Sequence, residues 1–449
     1  MPLLKKEFNL KLRGFINAIV AFILFRAALD FAYVNYVAKF AARPFIFTGF
    51  NLPRMVGSYI ISIIVAAFLI YTIYRKPYPS GIALLLYFII VLVPLISLYS
   101  LADAPATFIF MCFLSFSILV AFYHVDFNFI KKIKIPNQNW VFFIIMIIVG
   151  VSFYVYGWQI YTGGIGRLNF NLNLVYEVRQ KFSETHGFFM GYFLPWQGYI
   201  VNIGIFLWGF LKKKQWMIYI SIAAQLLLFG MTGYKSFLLV PVLALGIYMI
   251  WEKSNMLSYV FIGAFFLIII SYVIFLGTGD HLLPSIFIRR LFYVPASNHI
   301  IYFDYFSQPG HPFVMLSNSI LSPFIKYPYD VPLTRVISLE YWGRDSNPNV
   351  GYLGDAFAHF GYIGMILFSM VLGIFLRFID RVGNRLPRKF VAGLMAASSA
   401  SLTNSALFTC LLTHGLIVAL ILMWILNYFI TPRSSIMLKN SDIYRQDNR

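Results

Sequence analysis

Long, uninterrupted apolar runs dominate this chain, and its polar residues are gathered between them rather than alternating with them. Runs such as 55–74 and 257–276 are apolar at nearly every position. A membrane-crossing strand alternates apolar and polar residues with a period of two, so a transmembrane barrel does not fit the pattern, whereas helices of about 20 apolar residues do. Twelve such helices are predicted, at 15–34, 55–74, 81–101, 107–123, 140–157, 190–211, 215–232, 236–251, 257–276, 359–378, 390–406 and 414–430. The expected fold is all-α, a polytopic helical bundle of about 12 transmembrane helices forming a single integral membrane domain over residues 1–449.

Composition agrees: a chain that is 60% hydrophobic and 11% charged is too apolar for soluble domains. The net charge of +19 does not by itself point to nucleic acid, because excess Lys and Arg in membrane proteins mark cytoplasmic ends and contacts to anionic lipid. Of the 35 Lys and Arg residues, 22 fall on the side that holds both termini, 12 on the other, and one, Arg26, within the first span. By the positive-inside rule the termini, with the tail 431–449, are cytoplasmic, and the two long connections, 159–189 and 277–361, face outward. No small-residue cleavage site follows the first apolar segment, so it is expected to be a retained helix rather than a signal peptide. Within it Arg26 and Asp30 are four apart, share a helix face and can neutralise each other, which matters because a lone charge at mid-bilayer costs several kcal/mol. The pair is read either as an internal structural ion pair or as part of a lipid-substrate pathway. Only two cysteines occur, Cys112 in a predicted span and Cys410 in the short stretch between the last two, so no disulfide framework is expected.

The candidate chemistry sits in the outward connections. The longer one carries arginines, histidines and carboxylates among aromatics, including Ile288-Arg289-Arg290-Leu291-Phe292-Tyr293, His299, Asp304, Asp355 and His359. The shorter one opens with Thr162-Gly163-Gly164-Ile165-Gly166-Arg167 and continues as a predicted helix with Tyr176, Glu177 and Arg179. A polar break, Gly230-Met231-Thr232-Gly233-Tyr234-Lys235-Ser236, separates two short spans; such breaks persist at membrane depth only where protein or a watery cavity satisfies the backbone. Arg167, Arg179, Lys235, Arg289 and Arg290 are candidates to hold a diphosphate, since guanidinium forks bind phosphate oxygens in pairs and lysine adds a point charge; the alternative is solvated loop charge. Asp355 and His359, four apart at the start of a span, could orient an imidazole as a general base, or could simply mark a helix start favoured by the dipole. Asp304 is the second candidate base. No Asp-x-Asp, His-Glu-x-x-His, cysteine pair, Walker A or Gly-x-Gly-x-x-Gly pattern occurs, so no metal site and no cofactor are expected.

The order Gly-x-Gly-Arg-Leu-Asn, a Tyr/Arg-bearing outer helix, Thr-Gly-Tyr-Lys-Ser between spans, Arg-Arg-Leu-Phe-Tyr-Val-Pro-Ala, and Gly-Tyr-Leu-Gly-Asp-Ala-Phe-Ala-His-Phe-Gly-Tyr-Ile-Gly resembles the bacterial oligosaccharide repeat-unit (O-antigen) polymerases of the Wzy type. The resemblance covers about 140–378, and the last motif is the most specific. It implies a GT-C-like bundle in the bacterial inner membrane, its two long periplasmic loops containing short helices. It further implies a metal-independent glycosyltransferase that moves a growing glycan from undecaprenyl diphosphate onto the nonreducing end of a new lipid-linked repeat unit on the periplasmic side. The implied partners are the undecaprenyl-diphosphate-linked donor and acceptor, membrane lipids and a chain-length regulator protein, with no nucleic acid. In that setting Arg167, Arg179, Lys235, Arg289 and Arg290 would lie at the diphosphate, Tyr176, Tyr293 and His299 would bind glycan, and His359, Asp355 and Asp304 would be catalytic. An Arg-x10-Gly pattern discussed for some relatives is absent. The alternatives are an O-antigen ligase that delivers glycan to lipid A core, and a lipid-oligosaccharide flippase or other transporter; a transporter predicts internal repeats, which are not visible.

Overall fold

A computed structural model describes residues 2–40, 48–125, 134–172, 174–185, 187 and 189–430, with side chains from residue 12 onward. The predicted tail 431–449 lies outside the described residues. All regular structure among the described residues is helical. In chain order come α1 (Leu12–Phe40), α2 (Leu52–Arg75), α3 (Gly81–Leu101), α4 (Ala106–His124) and α5 (Gln138–Tyr161). They are followed by α6 (Val175–Ser183), α7 (Met190–Lys212), α8 (Gln215–Thr232), α9 (Lys235–Ile250) and α10 (Met256–Thr278). The chain then forms a π-helical segment, Ser285–Tyr293, which runs directly into α11 (Val294–Ser307). After it come α12 (Leu333–Trp342), α13 (Tyr352–Val382), α14 (Arg388–Ser401) and α15 (Leu407–Ile430).

Among the described residues, ten of these helices are long and apolar enough to cross a membrane: α1 to α5, α7, α8, α10, α13 and α15. Helices are the natural outcome, because hydrocarbon leaves no solvent partner for backbone N–H and C=O groups. Two of the twelve predicted spans come out differently. The segments 236–251 and 390–406 form α9 and α14, of 16 and 14 residues. At 1.5 Å per residue these reach only about 24 and 21 Å, short of a hydrocarbon layer of about 30 Å.

The described residues divide into two compact units, the first taking those within 1–125, 252–376 and 399–407 and the second those within 126–251, 377–398 and 408–449. In the first, α3 is the central helix: its apolar window is wholly buried. Arg26 pins the surrounding helices to it. The guanidinium pairs with Asp30 at 2.9 Å and donates to the Val93 carbonyl and the Ser58 hydroxyl, both at 3.3 Å, so α1, α2 and α3 share one buried charge pair. Asp30 also accepts from Ser97, whose hydroxyl meets that of Tyr293 at 3.1 Å. Fully bonded in this way, the pair avoids the penalty of an isolated intramembrane charge, the arrangement expected of an internal structural ion pair.

The second unit is held at membrane depth by a chain of amides. Ser152 of α5 donates to Gln197, Gln197 to Asn202 and Asn202 to Gln225, each at 2.8 Å. The middle of α7 is a π-helical turn, Trp196–Val201, following Pro195, and Gln225 of α8 donates to its Gly198 carbonyl at 2.9 Å. Small distortions of this kind survive in lipid when neighbouring side chains bond the freed backbone groups. The connection between α5 and α7 folds back as α6, burying Val175, Val178 and Phe182. Val175 and Phe182 join Leu228, Phe229 and Phe237 in one apolar cluster.

Candidate functional site

The candidate residues fall into two groups, one within each unit. In the second unit, Arg167 closes the glycine-rich turn rather than opening outward. Its guanidinium donates to Thr162 O at 2.7 Å, Thr185 Oγ1 at 3.2 Å and Gln159 Oε1 at 3.3 Å, while partial burial pulls its pKa below the usual guanidinium range. Its Nη donors are therefore engaged within the protein.

Arg179 and Lys235 are differently placed. Gly233, at φ +69°, carries the turn between α8 and α9; a Cβ there would lie 2.5 Å from the Val175 carbonyl and 3.2 Å from the Arg179 nitrogen, so only glycine lets α6 dock on the turn. Docked, Arg179 donates to the Gly233 carbonyl at 3.2 Å, and its Cζ stands 4.9 Å from the Tyr234 ring centre and 5.7 Å from that of Tyr176. Lys235 Nζ lies 5.7 Å from the same Tyr176 ring, so the two cationic centres are within twice 5.7 Å of each other. Charges at about that separation repel by roughly 1.5 kcal/mol at an effective dielectric of about 20. Among the described residues no carboxylate pairs with either of them. Arg179 Nε is buried without a hydrogen-bond partner, and Lys235 opens α9 with no side chain capping the exposed N–H groups. Two cations, an unused guanidinium donor and a helix N-terminus around one half-exposed tyrosine make an anion-binding arrangement. Tyr176 contributes one ring and Tyr234 the second.

In the first unit, Arg289 and Arg290 lie on the π-helical segment, Arg289 half-buried and Arg290 exposed. Tyr293, at its end, is fully buried, and its hydroxyl donates to the Leu29 carbonyl at 2.9 Å. His299 is also fully buried. Its Nδ1 donates to the Pro295 carbonyl at 2.7 Å, Nε2 accepts from the Tyr87 hydroxyl at 2.9 Å, and burial depresses its pKa to about 4. The Tyr293 hydroxyl and both His299 ring nitrogens are thus committed within the protein in this conformation, which leaves neither free for a glycan. Asp304 is exposed and accepts from the Tyr341 hydroxyl at 2.5 Å and the Gln308 amide at 3.4 Å. Burial, then the bond to Asp304, pushes the Tyr341 phenol up.

Asp355 and His359 come together as their spacing implies. The helix that carries them starts at Tyr352, seven residues before the predicted span, and breaks at Phe360 and Gly361, where Gly361 adopts φ +59°. His359 Nε2 faces Asp355 Oδ1 at 3.5 Å, with both residues buried. A strap that sequence reasoning missed crosses the break. The N–H groups of Val314 and Met315 bond the Ala358 and His359 carbonyls at 2.9 and 3.3 Å, and the Leu316 N–H donates to His359 Nδ1 at 3.0 Å. Met315 and Leu316 both have left-handed φ, 50° and 56°. Such a conformation in consecutive non-glycine residues costs about 1–2 kcal/mol each and persists because all three strap N–H groups find acceptors on α13. Nothing in the sequence Val-Met-Leu signals it.

Among the described residues no group of three or more His, Cys, Asp or Glu side chains could hold a metal ion. Comparison of the chain with protein-family models, with curated proteins and with solved structures finds no match.

Proposed function

We propose that this chain polymerises lipid-linked oligosaccharide repeat units, transferring a growing glycan from undecaprenyl diphosphate to the nonreducing end of a new lipid-linked unit at the outer face of a bacterial inner membrane. The observation that supports this best is the Arg179–Tyr176–Lys235 arrangement. It is a cationic site with which no carboxylate among the described residues pairs, set at a helix N-terminus in a protein of many apolar helices, and a lipid diphosphate supplies the missing negative charge while its chain stays in the bilayer. As a diphosphate departs, its negative charge grows, so these contacts strengthen in the transition state and accelerate transfer. Tyr176 holds the two cations in register through its ring face. The polar chemistry is concentrated in the connections 159–189 and 277–361, where a lipid-linked sugar at the membrane surface is within reach.

The test is a surface-glycan profile. Cells that carry the gene should, on its disruption, cap their lipid with a single repeat unit, and the wild-type gene should restore the polymer. Naked core with accumulated lipid-linked polymer would instead identify a ligase, and loss of all outward lipid-linked units a transporter. An Arg179→Ala, Lys235→Ala double variant, present at normal level, should make polymer at least about a hundredfold more slowly. Unchanged polymer from that variant would remove the diphosphate site from the proposal.

A further inference from the structure

Within the Asp355–His359 pair the two side chains are not equivalent. His359 Nδ1 accepts the Leu316 N–H at 3.0 Å, which leaves the ring proton on Nε2, 3.5 Å from Asp355 Oδ1. A doubly protonated ring would aim a second donor at the Leu316 N–H. The Nδ1 lone pair is the one that accepts the Leu316 N–H. Asp355 has the opposite character. Its Oδ2 is buried and has no hydrogen-bond partner, in a residue only 8% exposed. An unsatisfied buried polar group costs about 1–3 kcal/mol, more when charged, and calls for a reason in a folded protein. Nearby, the Tyr302 hydroxyl donates to the Pro348 carbonyl at 3.1 Å, so it does not serve Oδ2.

We infer that Asp355, through Oδ2, is the proton acceptor of the transfer reaction, and that His359 is a positioning residue that fixes the carboxylate through Oδ1. This assignment rests on the polymerase reading above. In the step, an oxygen lone pair of the acceptor hydroxyl forms the new bond to the anomeric carbon. The bond from that carbon to the diphosphate oxygen breaks and leaves its electron pair on the diphosphate, and the hydroxyl proton passes to Asp355 Oδ2. The strap over the helix break has a defined part. By donating to Nδ1 it sets the tautomer, and the tautomer turns Nε2–H toward Oδ1, leaving Oδ2 as the free basic atom.

The roles separate by substitution in cells lacking the chromosomal gene, with protein level measured alongside polymer. His359→Gln and His359→Asn carry an amide that can donate to Asp355 and accept from Leu316 but have no basic nitrogen. At least one of them should retain a third or more of the polymer, roughly speaking, while His359→Ala falls about tenfold or further. Asp355→Asn should fall by at least about a hundredfold and accumulate single lipid-linked units. Full-length Asp355→Ala protein in liposomes, given the lipid-linked repeat unit isolated from those cells, should recover activity when sodium formate supplies a carboxylate, and His359→Ala should not. Three results overturn the assignment: both amide variants as inactive as His359→Ala, wild-type polymer from Asp355→Asn, or no formate rescue. Failure of the wild-type gene itself to restore polymer overturns the polymerase reading instead, which sets the two failures apart.

Discussion

His299 accepts at Nε2 from the hydroxyl of Tyr87, 2.9 Å away, and donates from Nδ1 to the Pro295 carbonyl at 2.7 Å, so a neutral imidazole joins α11 to the central helix α3. That places a titratable ring wholly inside the first unit. Its role in this conformation is to hold two helices together.

A pH dependence of stability follows. Burial lowers the His299 pKa from 6.5 to about 4, so below pH 6.5 the unfolded chain binds a proton that the folded chain excludes. Stability contributed by the neutral ring is present above 6.5 and is lost as pH falls toward 4, by up to roughly 3 kcal/mol. Thermal unfolding in detergent across that range should show the slope, and His299→Gln should flatten it. An equal slope in the variant would assign the effect to other groups.

The Arg26–Asp30 pair predicts non-additive mutants. Asp30→Ala leaves a guanidinium buried without its counter-ion and should cost about 3–5 kcal/mol, whereas Arg26→Met combined with Asp30→Leu should cost much less, because both desolvation penalties disappear together. Unfolding midpoints of the single and double variants check this. Retained polymer in a stable double variant would also exclude the pair from the lipid-substrate pathway.

Gly233→Ala should uncouple α6 from the α8–α9 turn. The added methyl meets the Val175 carbonyl at 2.5 Å, at a φ that disfavours alanine, for a loss of about 1–3 kcal/mol. Faster proteolysis within 175–183 and loss of polymer are the expected readouts. Unaltered protection of α6 would show that its docking does not depend on the turn.

Sidedness is open to labelling. Ser183 ends α6 and Ser319 lies on the strap side of 277–361, and both are exposed. With both connections facing outward, cysteines at these two positions should react with an impermeant thiol reagent in intact spheroplasts. Reaction only after lysis would reverse the orientation.

The helical class and the position of nearly every span were legible from apolar runs alone, because in lipid a run of that length has no alternative to intrasegment hydrogen bonding. The Arg26–Asp30 and Asp355–His359 pairs were legible for a related reason: a separation of four on one helix fixes proximity without reference to the rest of the chain. Where α9 and α14 stop was not legible, since apolar composition extends past the point at which a helix ends. Arg167 and Arg179 look alike in sequence, yet Arg167 spends its Nη donors on its own turn whereas Arg179 stands over the Tyr176 and Tyr234 rings beside Lys235; long-range packing at Gly233 decided that. Tyr293 and His299 likewise read as polar residues of an outer connection and are fully buried, because the π-helical segment and α11 fold inward against α3. The free oxygen of Asp355 depends on a strap 40 residues upstream whose left-handed Met315 and Leu316 no local propensity would suggest. Periodicity and spacing along one helix are local properties that a sequence carries by itself; which donors remain unspent is settled only when distant segments meet.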